Sequence, residues 1–331
     1  MRLLDYTPLR HEPSLRERMD GYTVPPQWKV GAGIAFISYS LFAVYIVGVL
    51  DGKIAPTFFV IAIGGLAIAV GAQAWYKRSG RVVKLRKLAE ANNMTYRADA
   101  KFDGRDGIVF STGDDRMFKD ILTANDHPFA ELGNFQFSTG SGKNRTQHVR
   151  GFVRIKLPRK LPHMFLDARA GSSLYYSGGG VDKAGELSKS QRIELEGDFD
   201  TYFALYAPED YGVDARYVFT PDVMQALIEA AHQYDCEIID DDFYLLAGGG
   251  IPLDDQNALE EIIAIIGHLR PELVQQTQYY SDDRVDSRAT GAIAQQGVRL
   301  KYKKFSTATI VIVAVVMIYV LITFLSSASG R

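Results

Sequence analysis

The sequence predicts an α+β domain, with a mainly antiparallel sheet and flanking helices, attached to three transmembrane helices. Three observations predict it. Three apolar stretches of 19–21 residues carry no charge. Short runs rich in Phe, Tyr, Val and Ile, separated by turn residues, fill the region from Met94 to Pro208. Two helical patterns with start signals follow, and such a segregated order of elements favours α+β. A chain of 331 residues has room for one or two domains.

Residues 1–29 carry Pro8, Pro13, Pro25 and Pro26 among alternating charges and read as a flexible cytoplasmic tail. A short amphipathic stretch lies at Leu15–Met19. Val30–Leu50 is the first span, 21 residues at 1.5 Å each, enough for a hydrocarbon core of about 30 Å. Asp51–Pro56 then turns the chain tightly into Thr57–Trp75, so residues 30–75 form an antiparallel hairpin. The 29 residues before the first span exclude a signal peptide, which has a short basic start and a shorter apolar core. Thr307–Leu325 is the third span, leaving 326–331 as an external tail.

Orientation follows from the cations that flank the spans. Lys77, Arg78, Arg81, Lys84, Arg86 and Lys87 follow the second span; Arg299, Lys301, Lys303 and Lys304 precede the third. The other side holds only Lys53 and Arg331. Residues 76–306 are therefore expected in the cytoplasm of a cell (inner or plasma) membrane. The same ten cations are candidates for contact with anionic lipid, at about 1 kcal/mol per charge near the surface. The spans carry no ionisable residue of the kind that marks an ion or substrate pathway, so they read as an anchor.

Residues 81–92 place Val82, Leu85, Leu88 and Ala89 on one helical face, continuing from the second span. Strands are expected at NFQFST (134–139), VRGFVRIKL (149–157), HMFLDA (163–168) and TYFALYA (201–207), with a hairpin turn at 140–144 and a loop over 172–185. Thr220-Pro221-Asp222 opens a helix with a cap, a proline and an acid. CEIID and DFYLLAG (236–240 and 242–248) read as two strands around a turn. A second helix starts near Asp254–Asp255, and Pro271 is expected to kink or end it.

Net charge is −2, but it is segregated. Residues 76–192 hold 22 Lys/Arg against 12 Asp/Glu, and residues 193–287 hold 3 against 22. Such asymmetry acts on association rather than fold. The lone Cys236 excludes an intramolecular disulfide and a four-cysteine metal site.

The motifs that suggest chemistry are incomplete. Gly140-Ser-Gly-Lys143 lacks the phosphate-loop glycine, with Phe137 in its place, and has Asn144 where Ser or Thr belongs. The six histidines show no ligand spacing. Cys236 and His232 stand four apart, but on different elements. The acids are the remaining lead: Glu196, Asp198 and Asp200 share a face if extended, and Asp240, Asp241 and Asp242 are consecutive. They are candidates for a ligand or divalent metal. No catalytic residue is assigned and no cofactor is expected.

At residues 195–246 the chain resembles an uncharacterised family of bacterial membrane proteins. The motifs are LEGDFD-YF, TPD-M and YD-EI-DD, with further likeness through LAEANNMTY and GNFQFSTGSGKN. It is more distantly similar to a bacterial domain of unknown function. The resemblance implies a bacterial cell membrane and no particular chemistry. The expectation is a membrane-anchored cytoplasmic binding or scaffold domain. Its expected partners are membrane lipids and a protein or second copy, with no nucleic acid. The alternative is a carboxylate-based, membrane-anchored enzyme.

Overall fold

Strand β4, Thr146–Ala168, runs 23 residues and organises the sheet, because both of its edges are occupied. The structure is a computed structural model that describes residues 4–22, 38–40, 42–45, 54–124, 127–169, 187–285 and 292–301, with the side chains of 54–61 excepted. Before β4 come β1 (Met94–Lys101), β2 (Asp114–Ala124) and β3 (Glu131–Thr139), each antiparallel to the next. After it come β5 (Arg192–Ile193), β6 (Phe203–Tyr206) and β7 (Asp235–Leu246). Phe165 faces Tyr206 on one side and Glu237 on the other, so β6 and β7 flank opposite edges of β4. β3 takes the β6 edge at the start of β4, since Val153 pairs with both Leu132 and Leu245.

The order is β1-β2-β3-β4-β6-β5, with β7 on the free edge of β4. Every pairing among the described residues is antiparallel, and the α+β class is as the sequence predicts. The 140–144 turn is the β3–β4 hairpin, with Gly140 at φ +78°.

Helices α1 (Thr7–Arg10) and α2 (Leu15–Gly21) precede α3, Ile54–Ala91, a single helix of 38 residues. Among the described residues four more are defined: α4 (Phe199–Tyr202), α5 (Gly212–Val218), α6 (Pro221–Ala231) and α7 (Gln256–Thr277). One core joins the sheet to the helices, with Leu85, Leu88, Leu227, Ile262 and Ile266 among its members. A second gathers Phe110, Phe118, Phe135 and Phe152 with Ile108 and Leu300. Its rings meet edge-on or tilted at 5–6 Å, the favourable geometry for aromatic clusters.

Several expectations change. Residues 4–22 are a docked helical pair: Leu9 and Arg18 are buried, and Ser14 with Glu17 forms a capping box. VRGFVRIKL and HMFLDA belong to one strand, the register shifting between Lys156 and Leu161 where Pro158 falls, as suits a residue that cannot donate to a ladder. CEIID and DFYLLAG are likewise one strand, β7; the aspartates read as a turn lie within it, opposite the β4 bulge between Lys156 and Leu161, with Asp240 at φ +54°. Phe199–Tyr202 is a helical turn, so the strand expected over 201–207 narrows to Phe203–Tyr206. Pro271 lies inside α7, which continues six residues beyond it.

Among the described residues no helix is long and apolar enough to cross a membrane. The span expected at 307–325 and the loop at 172–185 lie outside the described residues, as does most of 30–50; residues 38–40 and 42–45 are helical. The stretch expected as the second span forms the first half of α3, of which side chains are described from residue 62.

Candidate functional site: a cation-lined cleft beside helix α3

Helix α3 changes environment along its length. Ile63, Leu66, Ile68 and Val70 are exposed, whereas Val82, Val83, Leu85, Leu88 and Ala89 are buried in the domain. At the change, around residues 74–84, lies an open cleft of about 540 Å³. Lys77, Arg78, Arg81 and Lys84 line it from α3, Arg18 from α2, and the carboxylates Glu12 and Asp254 complete it.

The cations stay close together because carboxylates beneath and beside them offset their repulsion. Asp120 sits on a β2 bulge at φ +51°, a conformation aspartate tolerates better than most residues. Its buried carboxylate accepts from Arg78 at 2.8 and 2.9 Å and from the Tyr96 hydroxyl at 2.6 Å. Arg81 Nε stands 3.0 Å from Asp120 and 3.4 Å from Asp254, at neither of them in hydrogen-bonding alignment. Burial lowers the Arg78 value and the Asp120 charge raises it; the carboxylate prevails and the net shift is upward. Burial first, then Asp120, pushes the Tyr96 phenol up. Removing one member of such a buried set costs about 3–5 kcal/mol.

Arg18, 3% exposed, is held on every side. Its Nε donates to the Pro13 carbonyl at 2.9 Å and Nη1 to that of Tyr76 at 2.5 Å, while its guanidinium stacks 3.7 Å from the Tyr76 ring centroid. Gly80 makes room: a Cβ there would collide with the guanidinium, which explains a glycine inside a helix where it costs about 1 kcal/mol relative to alanine. Sequence reasoning passed over Arg18 and Asp120. The Ser14-x-x-Glu17 capping box was the available sign that this segment is ordered.

Of the ten cations expected at a lipid surface, four line the cleft. Lys77 pairs with none of the described carboxylates, and Lys84 pairs with Glu12 at 2.5 Å. Beyond the cleft, Arg86 donates to the Gly21 carbonyl and Lys87 pairs with Glu17, both contacts holding α2 in place. Arg299 pairs with Asp106 and Asp240, and Lys301 with Glu209. Lys303 and Lys304 lie outside the described residues.

Four of the six acids expected to form a ligand or metal site are engaged with cations. Asp200 pairs with Arg192, Asp240 with Arg299, Asp241 with Lys156, and Asp242 with Arg154 and Lys156. Glu196 and Asp198 are exposed. Among the described residues no three His, Cys, Asp or Glu side chains gather as a metal site. Cys236 is fully buried, which pushes its thiol well up, and its sulfur faces the Tyr234 carbonyl; His232 binds the Ile228 carbonyl.

His163 and Glu237 form a buried pair across β4 and β7, Nε2 to Oε1 at 2.8 Å. His163 Nδ1 accepts the Leu300 N–H, so the proton is on Nε2 and points at the carboxylate. The Ile108 N–H donates to the same Glu237 oxygen, so this pair ties residues 108 and 300 to the middle of the sheet.

No family model matches the chain, and neither a curated protein nor a solved structure matches it.

Proposed function

We propose that this protein is a multi-pass membrane protein of three spans whose α+β domain is a binding module held against the cytoplasmic face of a cell membrane. The observation that carries this reading is α3. Its exposed apolar half is continuous with a half packed into the domain core, so whatever solvates the first positions the second. An exposed run of Ile63, Leu66, Ile68 and Val70 is costly in water and favourable in hydrocarbon. The apolar stretches at 30–50 and 307–325 and the motif resemblance to bacterial membrane proteins support it.

Two surfaces suit a module of this kind. The cleft offers positive charge beside the apolar helix. The outward faces of α6 and α7 offer Asp222, Glu229, Glu260 and Glu261, all exposed, to a basic protein partner or a second copy. The six acids proposed for an enzyme have no comparable support, since among the described residues they form no metal-type group and four of them are ion-paired.

The test is alkaline carbonate extraction of membranes from expressing cells, followed by in-cell crosslinking of the tagged full-length chain and mass spectrometry. The expected result is a carbonate-resistant protein crosslinked to a partner that the E229K/E260K variant loses. Release into the carbonate supernatant overturns the anchor, and recovery without any crosslinked protein overturns the protein-binding role.

A further inference from the structure

We propose that the cleft beside α3 binds the phosphate of an anionic phospholipid, which deepens the function proposed above and rests on it. Charge comes first. Five cations meet two carboxylates on the lining and a third, Asp120, beneath it, so positive charge remains in excess, and Lys77 has no described carboxylate partner. Such an excess of positive charge attracts an anion most strongly where nearby apolar surface lowers the dielectric.

Position selects the lipid. Lys77 and Arg81 stand about 3 and 9 Å beyond Trp75, the end of the expected span, at 1.5 Å per residue, which brackets a headgroup layer of about 5–8 Å. A headgroup in the cleft therefore leaves its acyl chains alongside the exposed Leu66 and Val70 of the same helix. Leu15 and Met19 stand one turn apart on α2, the helix that carries Arg18, and both are exposed. A free phosphate gains from the cations alone, whereas a phospholipid also covers these apolar side chains. Arg81 adds a planar guanidinium that suits phosphate oxygens beside the Lys77 ammonium, while Arg78 and Arg18 are committed to Asp120, Ala98, Pro13 and Tyr76. Arg78 and Arg81 are already oriented by Asp120, so little ordering entropy remains to be lost on binding.

The test uses full-length protein in uncharged detergent, titrated by calorimetry with dioctanoyl phosphatidylglycerol, dioctanoyl phosphatidylcholine and inorganic phosphate. The cleft variant is K77Q/K84Q, because neither lysine holds the buried Asp120. The charge-matched control is K143Q/K160Q, on exposed positions away from α3. The anionic lipid is expected to bind the wild type and the control alike, and the cleft variant at least about tenfold more weakly, from two charges near a surface. Phosphatidylcholine and inorganic phosphate are expected to bind far more weakly than the anionic lipid. Equal affinity of cleft variant and control overturns the site. Inorganic phosphate displacing the lipid at equal concentration reassigns the cleft to a soluble anion and overturns the lipid. Carbonate extraction of the same variants separates the two readings: resistance with no lipid preference removes this inference and leaves the anchor standing, whereas release removes the anchor.

Discussion

At the scale of single residues, the N-terminal segment is held by charged contacts whose strength depends on pH. Glu17 accepts from the Lys87 ammonium and from the Ser14 backbone and hydroxyl, and these lower its carboxyl from 4.5 to about 2. The value is depressed in the folded state, so its contribution is complete above about pH 4.5. It declines as the pH falls and is gone near pH 2. Glu12, lowered mainly by its hydrogen bond from Lys84, acts in the same direction. Amide protection of Leu15–Gly21, corrected for intrinsic exchange, should therefore fall between pH 4.5 and 2 in the wild type. In Glu17→Gln it should be low already at pH 5 and stay flat. Protection that is level across this window in the wild type would show that these contacts do not hold the segment. Arg18 differs, since its guanidinium is buried by Tyr76, Pro13 and Gly80 rather than screened by solvent.

At the scale of elements, α3 is one helix in two settings, and its residues should answer mutation accordingly. Leu85 is fully buried, and Leu85→Ala removes contacts and leaves a cavity, a loss of about 2–5 kcal/mol. Leu66 is 66% exposed, and Leu66→Ala should change domain unfolding by less than about 0.5 kcal/mol. Denaturant unfolding of the full-length protein in detergent checks both, and equal losses would contradict the division. Strands β4 and β7 show why element boundaries were hard to read. Pro158, Pro162 and the Asp240–Asp242 run have the composition of turns. In the sheet the chain passes through them with a shifted register, because ladder bonds on both sides of each bulge hold the strand together. Pro271 in α7 is similar: burial of Leu269 and Leu273 on either side offsets a missing backbone donor.

At the scale of the whole molecule, the charge segregation along the chain becomes pairing between halves. Basic β4 lies beside acidic β7, with Lys156 opposite Asp242, and Arg81 reaches Asp254. Much of the imbalance is thus consumed inside the domain, while the cleft and the outer faces of α6 and α7 keep exposed charge. The chain also grips the domain through both cores, with α3 entering one and Leu300 the other. Residues 4–22 belong to this arrangement. Their deletion removes Leu9 and Arg18 and uncovers Val83, against which Gly21 packs. The melting temperature of the full-length protein should fall by about 5 °C or more, from a loss of roughly 2 kcal/mol in a domain of this size. An unchanged melting temperature would return this segment to the flexible tail that its prolines suggest.

By itself the sequence determined the α+β class, the helix starting at Pro221, the β3–β4 hairpin and the apolar stretches, because each depends on local periodicity or a local cap. It also marked Lys77, Arg78, Arg81 and Lys84 as a group, since they are near one another in the chain. Only the tertiary structure decided that Arg18 joins them, that Asp120 lies beneath, and that four of the six candidate acids are taken up by cations. Those relations span up to about 170 residues, as between Arg81 and Asp254. They are set by strand register, by a bulge that turns one aspartate inward and by a glycine that leaves room for a guanidinium, none of which has a period to read.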